Sequence, residues 1–494
     1  MIKPAHTLGF LLAVGAICFA LMHVVPEDGI KVGEFTLRYP TWTQFTAKDT
    51  TPRVDVQAII RASHMSRLDT AGKAESEEEK LAREHLRKTL QLRKIQYAEG
   101  DTAGLHNLRL ALESLKENGD KIRVLHYGDS QIEGDRITSL LRSEWTRLYG
   151  GEGPGMLDAV PLAPTFSIDQ TYSPNWSRYT AFGRKDTNIK HSMYGIRGVL
   201  CRYTAPQGDS LVTDTTSAWL EFKPSNRAYR SARRYHQMRL HYRAWEADFK
   251  LEVYCNDTLY STQVINKASS EQVRTWNFTE TPDKIRMVFT GRVSPDVYGI
   301  SLEGNSGVVV DNIPMRGASG VIFSRMTPNH LSRVYEKEPV QFIIYQYGGN
   351  TVPYINEESQ VRRYARNVRR QIQFFKSALP EATILMIGPS DMSMKSGTSY
   401  QTYEAVPWVR DAFREVAAQE NVLFWDIYGA MGGFNSMPQW VEADPPLAGP
   451  DYVHFTPRGA REIGSWLVNA LQREIYPEFV ESESDTLLIP GANQ

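Results

Sequence analysis

Beyond residue 120 the chain alternates between two hydrophobic textures. Four short runs are almost continuously apolar: IRVLHY from Ile122, FIIYQYGGN at 342–350, ATILMIGPS at 382–390 and NVLFWDIYG at 421–429. Helix-compatible stretches lie around them, at 131–150, 356–378, 402–420 and 457–475. Continuous apolar strands separated by helices predict a parallel sheet buried on both faces, an α/β domain. Residues 171–308 read differently. AWLEFKP, HQMRLHYRAW, FKLEVYCNDTLYSTQVI and KIRMVFTG alternate apolar and polar positions, and Asn256-Asp257 is a hairpin turn signal. That texture predicts an antiparallel β-sandwich inserted after the first strand–helix unit. Upstream, Glu79/Arg83 and Glu84/Lys88 stand four apart with the acid first, which suits a solvated helix.

Leu8 to Val25 contains no formally charged residue, and Lys3 is the one Lys or Arg before it. The run reaches the lower limit for a membrane span and exceeds most signal-peptide cores. No small-x-small cleavage pattern follows; Glu27-Asp28 do. The segment reads as an uncleaved signal anchor rather than a cleaved signal peptide, and either reading exports the rest of the chain. The 494 residues carry a formal net charge of −1, which argues against a nucleic-acid partner. Of the 3 cysteines, Cys18 lies in the apolar run, and Cys201 and Cys255 are either a disulfide or two separate thiols. No Cys/His spacing suggests a metal.

Three short strings carry chemistry. Gly128-Asp129-Ser130 ends the first parallel strand, the edge where open α/β sheets bind ligands. Asp451-Tyr452-Val453-His454 precedes a helix signalled by Thr456 and Pro457. A serine hydroxyl needs a base to take its proton, and an imidazole base needs a carboxylate to fix its tautomer. Gly348-Gly349-Asn350 ends a middle strand and offers an amide to a developing oxyanion. Each string also has a bland reading as a turn or a cap. Trp176, Tyr179 and Tyr194 either line a sugar cleft or fill the sandwich, and the basic-aromatic stretch from Arg227 to Trp245 is either a surface that stacks on sugars and holds anionic glycan or, the favoured reading, a loop and an alternating strand.

In combination, a serine after the first strand, an amide after a middle strand and Asp-x-x-His in the last loop resemble the SGNH, or GDSL-type, hydrolases. The resemblance implies a flavodoxin-like α/β fold without cofactor or metal, with Ser130, Asp451 and His454 as the catalytic residues. It implies an oxyanion hole of Ser130, Gly317 and Asn350, with Gly320 the reserve for Gly317. Thr351 stands where the family usually has an Asp. The inserted module, jelly-roll-like and similar to a carbohydrate-binding module, and the segment VYGISLEGNSGVVVDNIPMRGASG resemble the Ape1-type peptidoglycan O-acetylesterases. The expected organisation is an anchor at 1–30, a tether and helical segment at 31–115, the α/β domain at 116–170 and 309–478, the insert at 171–308 and an acidic tail at 479–494. The expected activity is removal of O-acyl groups, O-acetyl first, from a cell-envelope glycan on the periplasmic side of the cytoplasmic membrane. Two alternatives remain: an O-acyltransferase fed by a multispanning membrane acyltransferase partner, and a non-catalytic glycan-binding scaffold.

Overall fold

The computed structural model describes residues 4–26 and 104–476, except 185, 205–213, 327, 337 and 398, together with short pieces between 29 and 98. The helix expected around Glu79–Lys88 and the tail from 479 lie outside the described residues. Pro4–Val24 is helical. Its segment His6–Val24 is long and apolar enough to cross a membrane, and none of it is buried against the protein.

Five strands form a parallel sheet: β1 (Lys121–Gly128), β2 (Gly307–Pro314), β3 (Val340–Gln346), β4 (Thr383–Ile387) and β5 (Leu423–Trp425). Their spatial order is β2-β1-β3-β4-β5, and Ile95–Gln96 adds an antiparallel edge beside β5. Among the described residues, the helices that flank the sheet include His106–Asn118, α1 (Thr138–Tyr149), α2 (Glu358–Ala378), α3 (Ala405–Gln419) and α4 (Pro457–Ile475). Successive residues of a strand face opposite sides. Val124 therefore packs with Val310, Phe342, Trp145 of α1 and Leu467 of α4. Its neighbour Leu125 joins Ile343, Tyr345, Phe375 of α2 and Phe413 of α3. Two cores, one on each face, explain why these strands lack alternation. The pattern missed β2, because GVVVDNIP reads as an exit from the insert. Its ladder to β1 runs in register from Gly307–Lys121 to Pro314–Gly128.

Two antiparallel sheets lie between α1 and β2 in the chain. One has the order 272–277, 237–243, 296–303, 199–202 and 177–180, with 155–157 also paired to 296–303. The other runs 258–265, 249–255, 285–291, 216–224 and 168–172. Leu220, Phe222, Leu251 and Met287 of the second sheet share a core with Met238, Leu240, Ile300 and Leu302 of the first. The antiparallel strands start at Gly155, ahead of residue 171. Asn256 and Asp257 turn the hairpin with φ of +50° and +65°, the left-handed pair that matches strand twist. Trp176 and Tyr194 are buried core residues, and Tyr179 packs half-buried against the core, so these aromatics fill the structure. Within the Arg227–Trp245 stretch, Met238, Leu240 and Tyr242 point into the core. Cys201 and Cys255 are separate free thiols.

A buried ion cluster joins the two units. Arg123 of β1, with no exposed side-chain surface, donates to Asp311 of β2 at 2.7 Å, to Glu338 before β3 at 2.8 Å, and to Glu303 at the end of an antiparallel strand. Lys121 and Arg239 add bonds to Glu303 and Glu338 at 2.8 and 2.7 Å. A buried charge is tolerable only when paired this completely.

Candidate active site

From β1 the chain passes to β2 on one side of the sheet, then returns to β3 on the other. At such a reversal the loops leaving the strand ends diverge and open a crevice. Ser130 follows β1, Gly317 follows β2, Asn350 follows β3 and Ser390 follows β4. All four line one cleft of about 380 Å³, together with Asp129, Gln131, Tyr354, Met392, Tyr403 and His454.

Ser130 opens a short 3-10 turn, Ser130–Asp135, and not the continuous helix expected from 131. Gly134 and Asp135, both at φ +69°, break the spiral, and regular helix resumes at Thr138. The turn directs the serine hydroxyl across the cleft, where Ser130 Oγ lies 2.7 Å from His454 Nε2. His454 Nδ1 lies 2.7 Å from Asp451 Oδ2. With the proton on Nδ1 donated to the carboxylate, Nε2 is left to accept from the serine. Asp451 also builds its own loop: its Oδ1 accepts from the Val453 and His454 backbone N–H at 3.1 and 3.0 Å. Partial burial disfavours the charged carboxylate. The hydrogen bonds from His454 and Val453 outweigh this and hold Asp451 below the usual carboxylate range. Between them Tyr452 adopts φ +58°, a costly conformation for an aromatic residue, with its ring stacked on Tyr400 at 3.6 Å. The start of α4 is as the sequence signalled: Pro457 opens it and Thr456 Oγ1 accepts from Gly459 N–H.

The two glycines separate on geometry. Gly317 has φ +77° and open space around a notional Cβ, and among the described residues no acceptor is seated on its N–H. Gly320 is packed against the rings of Tyr345 and Tyr347, inside the core. Asn350 reaches the cleft with its amide engaged: Nδ2 donates to Asp129 Oδ2 at 3.2 Å and to the Ala318 carbonyl at 3.1 Å.

Sequence reasoning gave Asp129 and Gln131 no role. Burial pushes the Asp129 carboxyl up to about 6, while the Gln131 N–H and the Asn350 amide favour its charged form. Gln131 Nε2 donates to the Val453 carbonyl at 2.6 Å and to Ser390 Oγ at 3.2 Å, so it ties the serine loop to the histidine loop. Their adjacency to Ser130 was the available signal.

Residues 289–462 match the model of the GDSL-like Lipase/Acylhydrolase family. The match runs from the last antiparallel strands through β2 into α4 and is a resemblance of this part of the chain to that family. The matched stretch of the GDSL-like domain contains Gly317, Asn350, Asp451 and His454, while Ser130 lies upstream of it, beyond the antiparallel sheets. No curated protein matches the chain significantly in sequence. Among solved structures, a peptidoglycan O-acetylesterase superposes with a TM-score of 0.59 at 21% identity, over 75% of this chain and 96% of that one. This likeness is one of fold. A family two carbohydrate esterase from Cellvibrio japonicus aligns at 9% identity over 62% of this chain and 98% of its own, with a TM-score of 0.24. A salicylyl-acyltransferase, SsfX3 from a tetracycline biosynthetic pathway, aligns at 12% identity over 64% and 98%, with a TM-score of 0.25.

Proposed function

We propose that the protein is a serine esterase that removes O-acyl groups, O-acetyl first, from a cell-envelope carbohydrate such as peptidoglycan. The observation that carries this reading is the continuous relay from Ser130 Oγ through His454 to Asp451, with both links at 2.7 Å. Ser130 Oγ attacks the ester carbonyl as His454 Nε2 takes its proton. The sugar hydroxyl leaves with that proton, and the acyl group stays on Ser130. Water then attacks the acyl-serine, again giving its proton to His454, and the carboxylic acid departs as His454 returns that proton to Ser130 Oγ. The Ser130 and Gly317 backbone N–H groups hold the oxyanion, each such donor being worth about 3 kcal/mol. Asn350 joins them by exchanging its bond to Ala318 for the developing charge. Asp451 stabilises the imidazolium.

The apolar helix His6–Val24 supports anchoring at a membrane, with the GDSL-like domain on the periplasmic side where an envelope glycan is found. The fold shared with a peptidoglycan O-acetylesterase supports the choice of substrate. The test is to incubate the wild type and Ser130→Ala with O-acetylated peptidoglycan, and to follow released acetate and the acyl-enzyme by mass spectrometry. The wild type should gain one acetyl group on the peptide bearing Ser130, and the variant should lose at least about 10³-fold in turnover. An acyl group found elsewhere, or Ser130→Ala within tenfold of wild type, overturns the assignment. Acetyl appearing on an added oligosaccharide instead of as free acetate would make the protein an acyltransferase.

A further inference from the structure

Tyr354 lines the same cleft as Ser130 and His454, yet its side chain is 76% exposed. It is carried by a short 3-10 turn, Gly349–Tyr354. Pro353 lies inside it, and the residues on either side of the Pro353–Tyr354 pair, Val352 and Ile355, are buried. Backbone bonds from Thr351 to Gly348 at 3.0 Å and from Ile355 to Val352 at 3.2 Å close the turn. The ring is thus displayed from a fixed support rather than left over from packing. A second aromatic element is adjacent in the chain to residues that line the cleft. Tyr452 sits two residues before His454, and its partner Tyr400 belongs to a hairpin, Ser393–Ser396 paired with Ser399–Thr402. The residues flanking that hairpin, Met392 and Tyr403, both line the cleft.

We infer that Tyr354 is a stacking platform for a pyranose ring of the acylated glycan. This inference rests on the esterase reading of Ser130 and adds to it the part of the substrate that is not hydrolysed. A pyranose presents an apolar C–H face and a rim of hydroxyls, which matches a flat aromatic ring beside polar groups. Gln131, Gln346, Asn350 and Ser390 supply the polar groups in the same cleft. A long aliphatic acyl chain would instead require a dry apolar channel.

The experiment compares wild type, Tyr354→Ala and Tyr354→Phe on a small chromogenic acetyl ester and on an O-acetylated peptidoglycan oligosaccharide. In Tyr354→Ala the ratio of kcat/KM for glycan over small ester should fall at least about tenfold, mainly through KM, and Tyr354→Phe, which keeps the ring, should restore it. An unchanged ratio, or an equal loss on both substrates, overturns the platform. Binding is then read without turnover: Ser130→Ala should bind the oligosaccharide, and Ser130→Ala/Tyr354→Ala should bind it at least about tenfold more weakly. Equal binding by these two variants also overturns the platform. Failure of the esterase reading is distinct, since it would appear as Ser130→Ala retaining activity whatever is done to Tyr354.

Discussion

Replacing Asp451 with Asn changes one oxygen to an amide nitrogen, and the hydrogen bonds around it dictate where that nitrogen goes. Oδ1 is held by the backbone N–H groups of Val453 and His454, so the remaining carbonyl oxygen of the Asn stays there. The new NH2 then faces His454 Nδ1 and must donate. That forces the imidazole proton onto Nε2, the tautomer that cannot accept from Ser130. Restoring the working tautomer sacrifices one hydrogen bond, about 1 kcal/mol net. The charge effect is smaller here than in a dry site, because the Asp451 and His454 side chains are 51% and 35% exposed. Opposite charges about 4 Å apart are worth ~1 kcal/mol in water and ~4 kcal/mol near a protein surface, so a half-wet pair contributes about 2 kcal/mol to the imidazolium. Together the losses come to about 3 kcal/mol, or roughly a 100-fold fall in kcat. The assay is initial-rate hydrolysis of a chromogenic acetyl ester at neutral pH, with thermal unfolding confirming an intact fold. A variant within threefold of wild type would show that Asp451 does not set the tautomer. A loss of 10⁴-fold would show that the pair is shielded from water in the reacting complex and would refute the screening argument.

Arg123→Met leaves Glu303, Asp311 and Glu338 buried without their shared cation, so stability should fall by about 3–5 kcal/mol; a calorimetric loss under about 1 kcal/mol would refute the compensation argument. Gly320→Ala should destabilise far more than Gly317→Ala, because its Cβ would meet the Tyr347 ring at 2.8 Å while Gly317 pays about 1 kcal/mol for φ alone; equal melting temperatures would contradict this. Asp129 should titrate near 6 by carboxyl-carbon NMR. Burial favours its neutral form, so its contribution to stability is full below the unfolded carboxylate pKa, about 4, and is lost as pH rises through about 6. Burial pushes Asp391 up to about 6 as well, so Asp129→Asn should remove only Asp129's share of that slope between pH 4 and 6, and the lack of a carboxyl signal above 5 that disappears in Asp129→Asn would overturn the burial argument.

The parallel strands were legible because a sheet covered on both faces demands uninterrupted apolar runs, and β1, β3, β4 and β5 have them. β2 was hidden because Asp311 and Asn312 interrupt its apolar run; Asp311 is buried there through bonds from Arg123, a partner 188 residues away, and from the Met156 backbone N–H at 2.8 Å. The same holds in the site. Ser130, Asp451 and His454 could be named from residue type and spacing, since an i,i+3 carboxylate–imidazole pair is a local feature. The engagement of Asn350 by Asp129, the Gln131 strap to Val453 and the display of Tyr354 depend on which loops meet at the sheet edge, and no local pattern encodes that. Ser130 and His454 meet across 324 residues of chain because each follows from a fixed point of the fold: the end of β1 and the start of α4. The intervening antiparallel sheets do not disturb that meeting. Loop closure grows only logarithmically with length, and these sheets have a core of their own to offset their ordering cost. What the insertion does impose is an orientation, because Arg123 binds Glu303 of the sandwich through the same guanidinium that binds β2 and the residue before β3. The strand that ends at Ser130 thus also carries the cation that fixes how the sandwich sits against the α/β domain.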